Sequence, residues 1–269
     1  MKRGLWLVLV LLMVSITCVQ ASTSAIVSSP WKYSFSSDGI LYEAGSDAES
    51  SSPYFWLNSG AKLIMAGGRG MTVQGDLSTD DYWRKLYSQE NSLDTDNGYH
   101  TQNIFRLLTR SKWQNVQETA YFKITNDRLS SSPNRAEHNG ILLMSRYNSN
   151  GNTLYYTGLR VDGTAIIKKK TSGKYYTLVS NKVFPGNYNR ESSPNLLPKN
   201  TWLGLRSQIK NNADGSVTIK LYMDKNWNNN WILIAETTDK NNQIKTEGYA
   251  GIRTDFMDVV FDNYELMNI

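Results

Sequence analysis

The chain has 269 residues, with 29 Lys and Arg against 24 Asp and Glu, one cysteine and two histidines. A net charge of +5 is mild, so local clustering, not the field of the whole chain, has to meet any anionic partner. A single cysteine excludes an internal disulfide, and two histidines without a cysteine pair argue against a zinc centre.

Residues 1–21, MKRGLWLVLVLLMVSITCVQA, combine a basic start, an apolar run shorter than a bilayer span and small residues at the end. They read as a secretory signal peptide. Its removal takes Lys2, Arg3 and Cys18 with it and leaves residues 22–269 at a charge of +3. This remainder is rich in Tyr, Trp, Asn, Ser and Gly and poor in helix signals. The expectation is one secreted or cell-surface, all-β domain over 22–269.

Up to residue 116 the pattern is irregular. Short strands are read in PWKYSFSS, AKLIMAG, GMTVQG and NIFRLLTR, and a short helix in STDDYWRKLYSQE, capped by Thr79 or Asp80. From Gln117 onward, alternating runs recur at near-regular spacing. Strands are predicted at 117–125, 140–147, 154–161, 164–170, 174–180, 201–210, 216–224, 231–237, 248–254 and 259–266. Turn residues such as NSNGN, DG, TSGK, NNADG and NWNNN separate them. So many strands predict a two-sheet antiparallel β-sandwich.

Two hairpins carry candidate binding residues. With turns at Asn150–Gly151, Asp162–Gly163 and Ser172–Gly173, cross-strand pairing would align Arg146, Tyr155, Lys170 and Tyr175 in one row beside Lys168. That face is assigned to solvent, because burying three cations would cost several kcal/mol each. In the second hairpin, Leu203, Leu205, Ile209, Val217, Ile219, Leu221 and Met223 alternate with Trp202, Arg206, Gln208, Lys220 and Tyr222. The polar set suits a sugar ring bearing carboxylates: aromatic faces stack on C–H surfaces, amides bind hydroxyls and guanidinium forks hold carboxylates.

No G-x-S-x-G elbow or phosphate loop is present. β-Elimination on a uronate polysaccharide needs a group that neutralises the carboxylate and a base for the adjacent proton. His138, Tyr155, Arg135 and Gln102 are of the right types, with His100 nearby in DNGYHTQNIFR. Glu118 and Glu137 could serve hydrolysis, but no local motif pairs them. No cofactor is expected. LDTDNG (93–98) is a fragment of a calcium loop, and Asp262 in FDN could ligate calcium near the C-terminus, so a structural Ca²⁺ is possible.

YYTGLRVDGTAIIKKKTSGKYYTL, WLGLRSQIKNNADGSVTIKLYMD and GYAGIRTDFMDVVFDNYEL resemble the concanavalin A-like jelly roll of laminin G-like domains, legume-type lectins and several polysaccharide lyases. The resemblance spans roughly 100–269 and implies fold more than activity. Against the alginate-lyase-like branch, NRAEHNG resembles its first motif through Arg135 and Glu137. HTQ holds His100 and Gln102 in reversed order. KKKTSGKYY matches the third motif through Lys169 or Lys170, Gly173 and Tyr175, but about a hundred residues upstream of its usual place. The hydrolase E-x-D-x-x-E strand is absent. Together these imply an acidic polysaccharide as partner, bound or cleaved by elimination; the alternative is a non-catalytic lectin or adhesion module. Nucleic acid and membrane are not expected partners after leader removal, and a monomer is expected.

Overall fold

A computed structural model describes residues 20–269; the leader assigned to residues 1–21, Cys18 included, falls outside them except for its last two positions. The irregular first part supplies β1 (Trp31–Tyr33), β2 (Gly39–Tyr42), β3 (Phe55–Ser59), β4 (Lys62–Ala66), β5 (Arg69–Met71), α1 (Tyr82–Glu90) and β6 (Ile104–Trp113). The regular part supplies β7 (Val116–Asp127), β8 (Gly140–Tyr147), β9 (Leu154–Arg160), β10 (Thr164–Thr171), β11 (Lys174–Lys182), β12 (Trp202–Asn211), β13 (Val217–Lys225), β14 (Ile232–Asp239), β15 (Gly248–Asp255) and β16 (Met257–Asn268). Among the described residues no helix is long and apolar enough to cross a membrane.

Two antiparallel sheets pack face to face. One runs β14-β13-β12-β7-β16-β5-β4-β2, with β1 added on β16; the other runs β11-β10-β9-β8-β15-β6-β3. The first and last parts of the chain interleave in both, because β16 lies between β7 and β5 and β15 between β8 and β6. The core between the sheets takes alternate residues from each: Leu203, Leu205, Ile219 and Leu221 from one, Ile141, Leu143, Leu159 and Ile167 from the other. Each such side chain contributes about 1.5–3 kcal/mol on burial.

The Ser172–Gly173 turn pairs Lys170 with Tyr175 and Lys168 with Thr177, as the sequence predicts. Ser172 and Gly173 both have positive φ, 48° and 78°, as a two-residue hairpin turn requires. The Asp162–Gly163 turn differs. Gly163 N donates to Arg160 O and Thr164 N to Asp162 Oδ1, so the loop has three residues, Val161–Gly163, with Gly163 alone at φ 80°. The extra residue moves the register by one: Tyr155 faces Lys169 and Tyr156 faces Lys168. At the other end, Ser145, not Arg146, faces Tyr155, and Arg146 has φ 54° where β8 leaves its regular pairing. A slip of one exchanges the faces. The helix begins a little later than predicted, capped by Asp81, whose side chain accepts from Trp83 N. Two further strands, β2 and β3, were not predicted.

Candidate functional site

The slip decides what the outer face of the seven-stranded sheet carries. Lys168, Lys170, Tyr156 and Tyr175 stand on it together, beside Arg253 of β15, Leu142 of β8 and Arg160 at the end of β9. All but Lys170 line a groove of about 500 Å³ floored by Leu142 and rimmed by Asn134, Glu137 and His138. Gly158 opposes Leu142 and Ile166 across the sheet; a Cβ there would meet Ile141 O at 2.2 Å, so β8 and β9 pack too closely at that point for any other residue.

The charges are unevenly paired. Arg253 Nε donates to Asp255 at 2.8 Å, and that carboxylate holds its pKa above the usual guanidinium value. Arg160 meets Asp162 at 3.2 Å and Glu137 at 3.9 Å. Lys170 Nζ donates to Gly151 O and lies 4.9 Å from the Tyr175 centroid. Lys168 has no carboxylate within ion-pair distance among the described residues; its Nζ sits 5.9 Å from the Tyr156 centroid and 5.5 Å from that of Tyr175. Burial, followed by the positive charge of Arg160, lowers its pKa. Burial likewise raises that of the Tyr156 phenol. An ammonium beside two aromatic rings and two guanidinium groups has the chemistry to hold an anion against an aromatic wall, although Asp94, Glu137 and Asp255 also line the groove.

The other candidates separate. Arg146 is interior, donating to Gln114 O, Asn211 Oδ1 and Ile244 O, with desolvation lowering its pKa to about 10. It therefore does not join the lysine row. Tyr155 is fully buried and donates to Asp239 at 2.6 Å. Gln102 is fully buried and donates to Gly75 O and Asp258 Oδ1. Arg135 is buried, donating to Ser130 O, Arg190 O and Glu191. Of the four elimination candidates only His138 lines the groove, so the constellation expected from the sequence is not assembled. His100 is held between Asp96 and Asp76, at 2.7 and 2.8 Å.

Arg206, Gln208, Lys220 and Tyr222 share a face as predicted, but it is the outer face of the nine-stranded sheet, across the core from the lysines. There Gln208 donates to Gln117, Tyr222 to Gln208, and Lys220 pairs with Glu236. In the LDTDNG loop, Asp94 accepts from Ser132 and Asn134, and Asp96 accepts from Ser130 and Asn103. These carboxylates tie down the groove's rim, and among the described residues no metal-binding group of three or more His, Cys, Asp or Glu is found. Asp262 accepts from Asn263 N.

Tyr156, Arg160 and Arg253 were not among the sequence candidates. The alternation of YYTGLR contains the first two once the turn is three residues long, and the GYAGIRT strand contains the third.

No protein-family model matches the chain, and no curated protein matches it in sequence. Among solved structures it is similar to the carbohydrate-binding module CBM66 from Bacillus subtilis, at 14% identity over 63% of this chain and 85% of that one, TM-score 0.45. It is similar to a β-glucanase of Bacillus licheniformis, at 9% identity over 91% of this chain and 100% of that one, TM-score 0.46. It is also similar to the exoplasmic/lumenal domain of VIP36, at 10% identity over 81% and 87%, TM-score 0.45. The likeness concerns the fold alone. The strand order itself shows the two-sheet antiparallel sandwich that the concanavalin A-like resemblance implies.

Proposed function

We propose that the chain is an exported glycan-binding protein that holds an acidic, uronate-containing polysaccharide in the groove of the seven-stranded sheet without cleaving it. The observation that carries this reading is Lys168, an ammonium with no carboxylate partner among the described residues, set against Tyr156 and Tyr175 beside Arg160 and Arg253. A sugar carboxylate would take the Lys168 N–H groups, and the tyrosine rings would cover the C–H face of the ring. Binding without turnover is preferred because Tyr155, Arg135 and Gln102 are committed to internal hydrogen bonds. His138 still shares the groove with Tyr156 and Arg253, groups of the types elimination uses, so the absorbance arm of the test decides between binding and cleavage.

The test is retention on immobilised polygalacturonate and alginate, with soluble neutral polysaccharides as competitors and the ultraviolet absorbance of an unsaturated product followed in parallel. The expected result is retention that neutral competitors do not relieve, weakened roughly tenfold or more by Lys168→Ala, with no absorbance growth. Equal competition by neutral polymers contradicts the anionic ligand. Growth of the chromophore contradicts the non-catalytic reading while keeping the groove. Export is tested separately: the mature N-terminus should be Ser22.

A further inference from the structure

The outer face of the nine-stranded sheet holds a second cavity, of about 370 Å³, on the far side of the core from the lysine groove. Its aromatic wall comes from Trp227 of the NWNNN segment between β13 and β14, which the sequence presents as a mere connector, and from Trp231, which follows it. Asn226, Trp227 and Asn229 have φ of 65°, 55° and 61°. Positive φ is a backbone outlier for a residue as bulky as tryptophan. The buried Asp224 carboxylate holds the segment in this form, accepting from Asn228 N, from Asn229 N at 2.8 Å and from Tyr121 OH at 2.6 Å. Trp227 thereby lies flat on Tyr121, with centroids 4.3 Å apart and planes at 10°, and Trp231 closes the side at 5.7 Å.

Trp231 Nε1 donates to Asn229 Oδ1, and the Arg206 guanidinium lies 4.0 Å over the Trp231 ring. Arg206 Nε donates to Thr119 Oγ1, while its two terminal nitrogens donate to no acceptor among the described residues. A rigid, half-buried fork beside a tryptophan wall therefore keeps its strongest donors for something else. The Lys32–Glu265 pair, at 3.3 Å, also lines the cavity and brings a carboxylate to it. Glu265, whose partner Lys32 is 72% exposed, offsets the Arg206 guanidinium, so the cavity carries little net charge and suits a neutral sugar better than an acidic one.

We propose that this cavity binds a neutral hexopyranose unit of a glycan, stacked on the Trp227–Trp231 wall, with ring hydroxyls accepting from the terminal nitrogens of Arg206. The two outer faces of the sandwich then take glycans of different charge. The inference stands on its own observations and does not depend on the lysine groove.

The test follows tryptophan indole N–H signals by NMR during titration of the exported chain with cellotetraose, mannotetraose, galactotetraose and tetragalacturonate, to about 10 mM, where a millimolar site fills. Trp231→Ala and Arg206→Gln are compared, each shown to melt near wild type. The expected result is that at least one neutral tetrasaccharide shifts the Trp227 and Trp231 signals, that both variants weaken this at least tenfold, and that Trp231→Ala keeps wild-type retention on polygalacturonate. The proposal is overturned if no neutral sugar moves either signal, if only tetragalacturonate does, or if neutral-sugar binding, read on the remaining signals, survives in Trp231→Ala.

Discussion

Glu118 lies in the core between the sheets, accepting from Tyr264 at 2.6 Å and from Ser145 at 3.2 Å, with no cation among its partners. Burial pushes its carboxyl up to about 8, against an ordinary 4.5, and the hydrogen bonds offset only part of that. Between these values the unfolded chain releases the proton and the native chain keeps it. Stability from this group is therefore full below about pH 4.5, falls as pH rises, and levels off above about 8. Urea unfolding of wild type and Glu118→Gln across pH 4–9 should show curves that diverge with rising pH. The variant should be favoured by a few kcal/mol, order of magnitude, at pH 8; parallel curves would contradict the assignment. Lys169 presents the opposite case, a buried cation that is paired. Its Nζ donates to both Asp239 oxygens at 2.8–2.9 Å, and Tyr155 donates to the same carboxylate. Lys169→Met should cost about 3–5 kcal/mol by stranding Asp239, and Lys169→Met/Asp239→Asn should recover much of it, both read by denaturant melts.

At the level of the hairpin, the make-up of the proposed binding face turns on one residue of loop length. Asp-Gly serves both a two-residue turn and a three-residue turn closed by a left-handed glycine, so the dipeptide alone cannot set the register. What selects the longer loop is tertiary: Val161 is buried, its carbonyl accepts from Leu196 N, and Gly163 O accepts from Val183 N and Phe184 N. Ser-Gly at 172–173 had no such competition and paired as predicted. Gly163→Ala should destabilise by about 2 kcal/mol or more in thermal or denaturant melts, because φ is 80° and the added Cβ would approach Phe184 O at 2.3 Å. An unchanged melt would contradict the three-residue loop. Strands such as β13 were legible from the alternation of Val217 and Ile219 with Thr218 and Lys220, and β8, buried along its whole length, from its apolar run and the NSNGN turn that follows it. β3 was not, since Phe55, Trp56 and Leu57 are all buried and leave no period of two. The lysine run was half legible: Lys168 and Lys170 share the open face with Tyr175, but Arg146 left it at an irregular point in β8 that no residue type announces.

Across the whole molecule, the sandwich sorts the sequence candidates onto two outer faces and a core. The chain's small net charge hides this sorting, because Lys168, Arg160 and Arg253 concentrate on one face while Lys169, Arg146 and Arg135 are spent inside on Asp239, backbone carbonyls and Glu191. Side-chain exposure, not the count of lysines, therefore determines what the surface can attract. Cations that face solvent act over about 8 Å at physiological ionic strength, so a groove that works by charge has to weaken as salt is added. The most direct measurement is calorimetric titration of a galacturonate oligomer into the wild-type chain and Lys168→Ala, each at low and high sodium chloride. The account predicts wild-type binding that falls with salt and a Lys168→Ala variant that binds roughly tenfold more weakly at low salt with a shallower salt dependence. Binding that ignores salt, or that is the same in both proteins, would contradict it.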